Sequence, residues 1–171
     1  RALQLDAELP LAHQARAATL RMMARVPEAL RAAETAVRLA PGDADNLAVL
    51  AWVQVAAGQT DAARSTIDMA LPLYPIAPVY INNFEADVRW AARDNGAALA
   101  ATDRCIERAP RYAYCRLTRA IVLFELNRLD EAKREAEMYR TLQPNASRAS
   151  FGTFAAAPDL GGARLDVVDG V

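Results

Sequence analysis

The sequence predicts an all-α chain, an α-solenoid in which antiparallel helix hairpins stack one on the next, and three recurrences predict it. Pro41, Pro75, Pro110 and Pro144 fall 34, 35 and 34 residues apart. Ala29, Ala63, Ala98 and Ala132 repeat that step, and Ala17, Ala51, Ala86 and Ala120 repeat it again. A fixed period near 34 residues marks an array whose unit is one helical hairpin, able to bury its apolar face only against its neighbours. The expected architecture is at least eight helices in a right-handed superhelix with no β-sheet.

In the first hairpin, residues 11–24 carry one helix, and Pro27 opens the next at a position where its missing N–H costs nothing. Leu30, Ala33, Val37 and Leu39 then recur with helical period. Pro41-Gly42-Asp43 ends that helix, because proline disfavours a helical residue before it and glycine suits the cap. Asp43 and Asp45 bracket Ala44 in a turn, where helix capping explains them better than metal binding. In the second hairpin Gly58 closes the first helix, and Asp61 is expected to cap the second, as Asp130 does in the fourth. Pro72, Pro75 and Pro78 crowd one junction, so Pro72 should stop its helix early and leave a distorted seam. The paired helices need small side chains where they approach, so large residues at the repeating alanines should overpack the contact.

The expected divisions are the end of a preceding repeat at 1–9, repeats at 10–43, 44–78, 79–112 and 113–146, and a capping segment at 147–171. Phe151, Phe154, Leu160, Leu165 and Val168 would supply the cap, with Gly152, Pro158, Gly161 and Gly162 arguing against one long helix. Residues 2–6 match 36–40 one period later, so the chain reads as a piece of something longer. With 53% apolar and 24% charged residues, a folded chain is expected rather than a disordered one. A net charge of −1 gives no electrostatic reason to expect nucleic-acid binding by this segment. No apolar run is long enough for membrane insertion. Of 20 basic residues only Lys133 is lysine, a bias of GC-rich coding that points to a bacterial source.

Ala51, Ala63, Ala70 and Pro75, with Leu47, Leu50 and Gly58, resemble the tetratricopeptide repeat, as does the run Leu126-Asn127-Arg128-Leu129-Asp130-Glu131-Ala132. The resemblance covers about residues 1–146. His13, Arg16, Asn82, Glu85, Arg89, Arg116 and Arg119 stand where that family usually has apolar side chains, which leaves the rotation of the first helices open by about one residue. Since equivalent positions on stacked helices lie side by side, Glu85 is expected to pair with Arg119 or Arg116. A weaker resemblance is to the C-terminal repeat modules of bacterial signalling proteins, which accompany nucleotide cyclases or winged-helix regulators.

No residues assemble a catalytic or metal centre, and no cofactor is expected. One histidine, His13, gives no zinc pair, and the glycines form no phosphate-cradling run. Glu131, Glu135 and Glu137 read as a solvated face. Cys105 and Cys115 lie five residues either side of Pro110, on helices that turn back on each other. They either face one another as a disulfide or, more simply, Cys105 fills the small position held by Ala36 and Ala70. A bridge would argue for the periplasm, its absence for the bacterial cytoplasm.

The family resemblance implies a concave face lined by the first helix of each hairpin. Carried over, its positions include Arg21, Met22, Asp45, Trp52 and Val55, then Tyr80, Asn83, Asp87 and Trp90, then Tyr114, Leu117, Ile121, Phe124 and Glu125. From these, Trp52, Tyr80, Asn83, Asp87, Trp90, Tyr114 and Phe124 form the expected partner-binding set. Aromatic rings on one face suit a groove for a peptide, a partner segment or a second copy of the chain. The same spacing suits core packing, and a rotation by one residue turns some of the rings inward. The function expected is a non-catalytic protein–protein interaction module, the sensory or regulatory part of a larger bacterial protein. The alternative is a structural scaffold of an envelope export assembly.

Overall fold

The computed structural model describes residues 9–145. The capping segment at 147–171 and all of the 1–9 segment except Leu9 lie outside them. Among the described residues there are eight α-helices and no strand. They divide into two compact units, one ending at Ile76 and the other starting at Ala77. The first unit holds α1 (Pro10–Met22), α2 (Val26–Leu39), α3 (Ala44–Ala56) and α4 (Thr60–Ala70), then a 3-10 turn at Leu71–Leu73. The second holds α5 (Val79–Ala91), α6 (Asn95–Arg108), α7 (Ala113–Glu125) and α8 (Leu129–Leu142). Within each unit consecutive helices pair as hairpins, and the two first helices also pack together, α1 on α3 and α5 on α7.

The prolines act as stops. Ala40 and Ala109, immediately before Pro41 and Pro110, leave the helical region with φ/ψ of −142°/80° and −142°/79°. That is the conformation which the proline ring imposes on its predecessor. Pro72 shortens α4 as expected, and the chain tightens into the 3-10 turn before Pro75. Pro10 and Pro27 sit in the first turns of α1 and α2.

Inside every hairpin the turn is the same. Ala24, Gly58, Arg93 and Asn127 adopt φ of 57°, 72°, 61° and 58°. The residues after them, Arg25, Gln59, Asp94 and Arg128, each donate at 2.9 Å to a carbonyl five residues back. This is the Schellman closure, which satisfies carbonyls that a helix end would otherwise strand. Only Gly58 is the residue type that enters the left-handed region without steric cost.

Capping differs from the expectation at two places. Asp61 and Asp130 lie inside the first turns of α4 and α8 and accept no capping bond; Gln59 and Arg128 occupy the cap positions. The acids there favour the helix through its dipole instead. True carboxylate caps are Asp43, accepting from the Asn46 N–H at 2.8 Å, and Asp94, accepting from Ala97 at 3.0 Å. At the heads of α2 and α8 the pairs Arg25–Glu28 and Arg128–Glu131 stand in, with Nε–Oε1 distances of 2.8 and 2.7 Å. Their hydrogen bonds hold both carboxyls below the ordinary range.

Both alanine series are buried in full: Ala17, Ala51, Ala86 and Ala120, and Ala29, Ala63, Ala98 and Ala132. In α2 the inward face is Ala29, Ala32, Ala33 and Ala36, with Leu30 and Val37 only half-buried. The helix backbones approach where the side chains are methyl groups, and the larger residues flank the contact.

Ala24→Gly should raise stability by about 0.5–1 kcal/mol, since glycine relieves the left-handed strain and returns part of the gain as chain entropy. Gly58→Ala should lose about 1–2 kcal/mol. Urea unfolding midpoints at unchanged slope are the measurement. Equal and opposite failure of both would mean that the turn is not the constraint.

Candidate functional site

The first helices α1 and α3, and separately α5 and α7, carry every side chain expected to meet a partner. In the second unit Trp90 is 1% exposed and belongs to a core cluster with Ala98, Ala113, Leu117, Ile121, Val122 and Tyr139. In the first, Trp52 is 6% exposed, with the Arg21 guanidinium 3.5 Å from its ring centroid and Arg21 Nε donating to the Trp52 carbonyl at 3.1 Å. Both tryptophans are therefore corrected from open binding rings to packed ones. Their large area is better buried in the hairpin contacts than left in water. Asn83 and Asp87 are buried as well, each 2% exposed.

What remains outward in the second unit is a smaller set. Tyr80 is 38% exposed and makes an edge contact with Phe84, their centroids 5.7 Å apart. Tyr114 is half-buried on α7; Phe124, also half-buried there, is corrected from the expected binding set to packing against Ala120 and Ala136 within the α7–α8 hairpin. Beneath them, the Thr118 hydroxyl donates to Asp87 Oδ1 at 2.8 Å, and Asn83 Nδ2 lies 3.5 Å from Asp87 Oδ2. Asn83 Oδ1 is buried with no hydrogen-bond partner. Tyr112 and Tyr114 pack with tilted rings, 5.8 Å between centroids. Burial first, then the Asp87 carboxylate and Tyr114, push the Tyr112 phenol up to about 12.

Phe84, Tyr112 and Thr118 were not in the expected set. A signal for Thr118 does exist in the numbering. Asp87 reaches Thr118, and Arg21 reaches Trp52, each across 31 residues. That is one period of 34 less three residues, roughly a helical turn back, as expected for helices packed side by side with an axial stagger.

Glu85, Arg89, Arg116 and Arg119, charged departures from the family pattern, are compensated, and Glu85 by partners other than those expected. Glu85 meets Arg104 of α6 at 2.6 Å and Arg89 of its own helix at 3.8 Å, not Arg116 or Arg119. Arg116 and Arg119 both reach Glu135 of α8, at 2.8 and 3.3 Å, and Arg119 also reaches Asp103. Glu85, Arg116 and Arg119 turn down onto the second helix of their own hairpin, the nearest surface, instead of pairing with the equivalent position one repeat on.

Cys105 and Cys115 form a disulfide that joins α6 to α7. Among the described residues no group of three or more His, Cys, Asp or Glu side chains is placed to hold a metal ion. No described helix is long and apolar enough to cross a membrane.

Repeated hairpins with shared turns, stops and alanine contacts define a helical repeat protein. Residues 20–78 match the sequence profile of the tetratricopeptide repeat, and the fold is that of solved proteins built from it. No curated protein matches the sequence. Among solved structures, the chain is similar to PilW, a type IV pilus biogenesis factor, at TM-score 0.70 and 19% identity, covering 97% of this chain and 78% of that one. It is similar to TTC0263, a thermophilic tetratricopeptide-repeat protein of Thermus thermophilus, at TM-score 0.68 and 19% identity, covering 93% and 95%. It is also similar to YrrB, a protein of the same repeat with an unusual peptide-binding site, at TM-score 0.58 and 18% identity, covering 98% and 87%.

Trp90→Ala should cost about 3–5 kcal/mol, the usual loss for a buried ring, whereas Tyr80→Ala should stay within about 0.5 kcal/mol. Denaturant unfolding of the two variants separates packed from presented rings.

The Tyr112 phenol sits above its unfolded value of 10.0. The folded chain thus favours the protonated form. That contribution to stability is whole below about pH 10 and is lost as pH rises toward about 12. Subtracting the alkaline phenolate absorbance of a Tyr112→Phe variant from that of the parent should isolate this late titration, and the variant should lose less stability over the same range.

Proposed function

We propose that this chain is a non-catalytic interaction module that takes a peptide or partner segment on the α5–α7 face of its second unit. Tyr80, Phe84 and Tyr114 supply apolar contact, and the Asn83–Asp87–Thr118 group fixes the face. The observation that carries this reading is Tyr80, an aromatic side chain 38% exposed beside half-buried rings on first helices. Rings of this kind are the usual anchors of protein interfaces. The fold supports protein or peptide partners in general, and the burial pattern supports this face.

A second reading concerns setting. The Cys105–Cys115 bond favours an oxidising compartment, which supports an envelope scaffold in the periplasm over a sensory part in the cytoplasm.

Peptides selected by phage display on the oxidised chain should bind with affinity that drops about tenfold or more in Tyr80→Ala/Tyr114→Ala, a loss in the range of an interface hot spot. Arg38→Ala, on α2 of the other unit, should change nothing. Undiminished binding by the tyrosine variant would move the site elsewhere.

A further inference from the structure

The two junctions that join one hairpin to the next inside a unit, α2 to α3 and α6 to α7, are built on the same frame and held by different means. At the first, Asp43 caps α3 through the Asn46 N–H, and Asn46 Nδ2 donates to the Ala36 carbonyl at 3.3 Å. A carboxylate at Asp45 adds to the first turn. Adding 69 residues to Ala36, Asp43 and Asn46 gives Cys105, Tyr112 and Cys115. At this second junction the cap residue Tyr112 makes no side-chain capping bond, and the first turn of α7 holds no acidic residue. The interactions that steady α3 are missing from α7. In their place stand long Arg116 hydrogen bonds to the Pro110 carbonyl, at 3.3 and 3.4 Å, and a covalent bond between sulfurs that are both fully buried.

We propose that Cys105–Cys115 is a redox-sensitive clamp on the first turn of α7, standing in for a helix cap. With the bond closed, Tyr114 and Thr118, which flank Cys115, are held in the α5–α7 face. Reduction by a dithiol breaks the S–S bond, delivers two electrons and two protons to give two thiols, and closes the reductant's own disulfide. Because neither sulfur meets solvent, the exchange proceeds through local opening of that turn. Once reduced, the turn has no cap, and only the Arg116 guanidinium, donating to the Pro110 carbonyl at 3.3 and 3.4 Å, still draws it closed. The face is thus built in an oxidising compartment and loosened in a reducing one. The consequence for partner capture rests on the reading in the previous section; the clamp itself does not.

Amide hydrogen exchange on oxidised and dithiol-reduced protein, with thiols counted, tests it. Exchange over 113–118 should quicken about tenfold or more on reduction while the matching turn 44–49 is unchanged. Cys105→Ala/Cys115→Ala should behave like the reduced protein, since alanine supplies neither bond nor cap and Ala36 already fills the Cys105 position in the first unit. The triple variant Cys105→Ala/Tyr112→Asn/Cys115→Asn installs an uncharged cap, which avoids Asp87, and should exchange slowly whatever the redox state. Unchanged exchange at 113–118, equal acceleration at 44–49, or a triple variant as fast as the double one would each overturn the clamp. If selected peptides ignore the tyrosine substitutions while exchange follows this pattern, the binding face falls and the clamp stands.

Discussion

The structure depends on two helix backbones meeting where both side chains are small. Ala17, Ala51, Ala86 and Ala120 on the first helices, and Ala29, Ala63, Ala98 and Ala132 on the second, are all buried. A methyl group there allows close approach, and close approach lets the larger neighbours interdigitate without voids. Core density of this kind tolerates little added volume. The period of the chain is therefore a packing constraint before it is anything else.

That constraint shapes the outward face of each unit. Drawing the hairpins together pulls inward whatever lies beside the alanines, including Trp90 in the second unit and Trp52 beneath Arg21 in the first. The residues left outward lie further round the helix, so the presented rings are tyrosines and Phe84 with Asp87, Thr118 and Asn83 as polar support. A tyrosine tolerates this border position, since its ring packs while its hydroxyl stays near water. Charge obeys the same geometry: Glu85, Arg116 and Arg119 each find an opposite charge on the second helix of their own hairpin.

The junctions show one backbone frame served by different chemistry. Ala40 and Ala109 leave their helices at the same dihedral angles before Pro41 and Pro110. Asparagine and aspartate close the first of these junctions, and a disulfide closes the second. The left-handed turns are similarly indifferent to identity, since Ala24, Gly58, Arg93 and Asn127 occupy one conformation. In a repeat protein, neighbouring contacts over-determine the backbone, so a locally poor residue survives where its surroundings insist on the geometry.

The all-α class, the hairpin unit and the proline stops could be read from spacing alone, because they follow from local sterics that recur with the period. The seam at Pro72 and the cap at Asp43 were legible for the same reason. The rotation of each helix was not. A shift of one residue turns a helix by about 100°, enough to exchange groove for core, and composition does not record it. Packing decided it, by placing Trp90, Asn83 and Asp87 inside and leaving Tyr80 out. Ion-pair partners were equally illegible, since they depend on which surface a flexible arginine meets first. The cysteine spacing left a bridge and a buried thiol both open, and only the approach of α6 and α7 brought the sulfurs together. Sequence periodicity thus determined what the chain repeats, while tertiary contact decided which side of each repeat faces out, because only packing sets the angle of one helix against another.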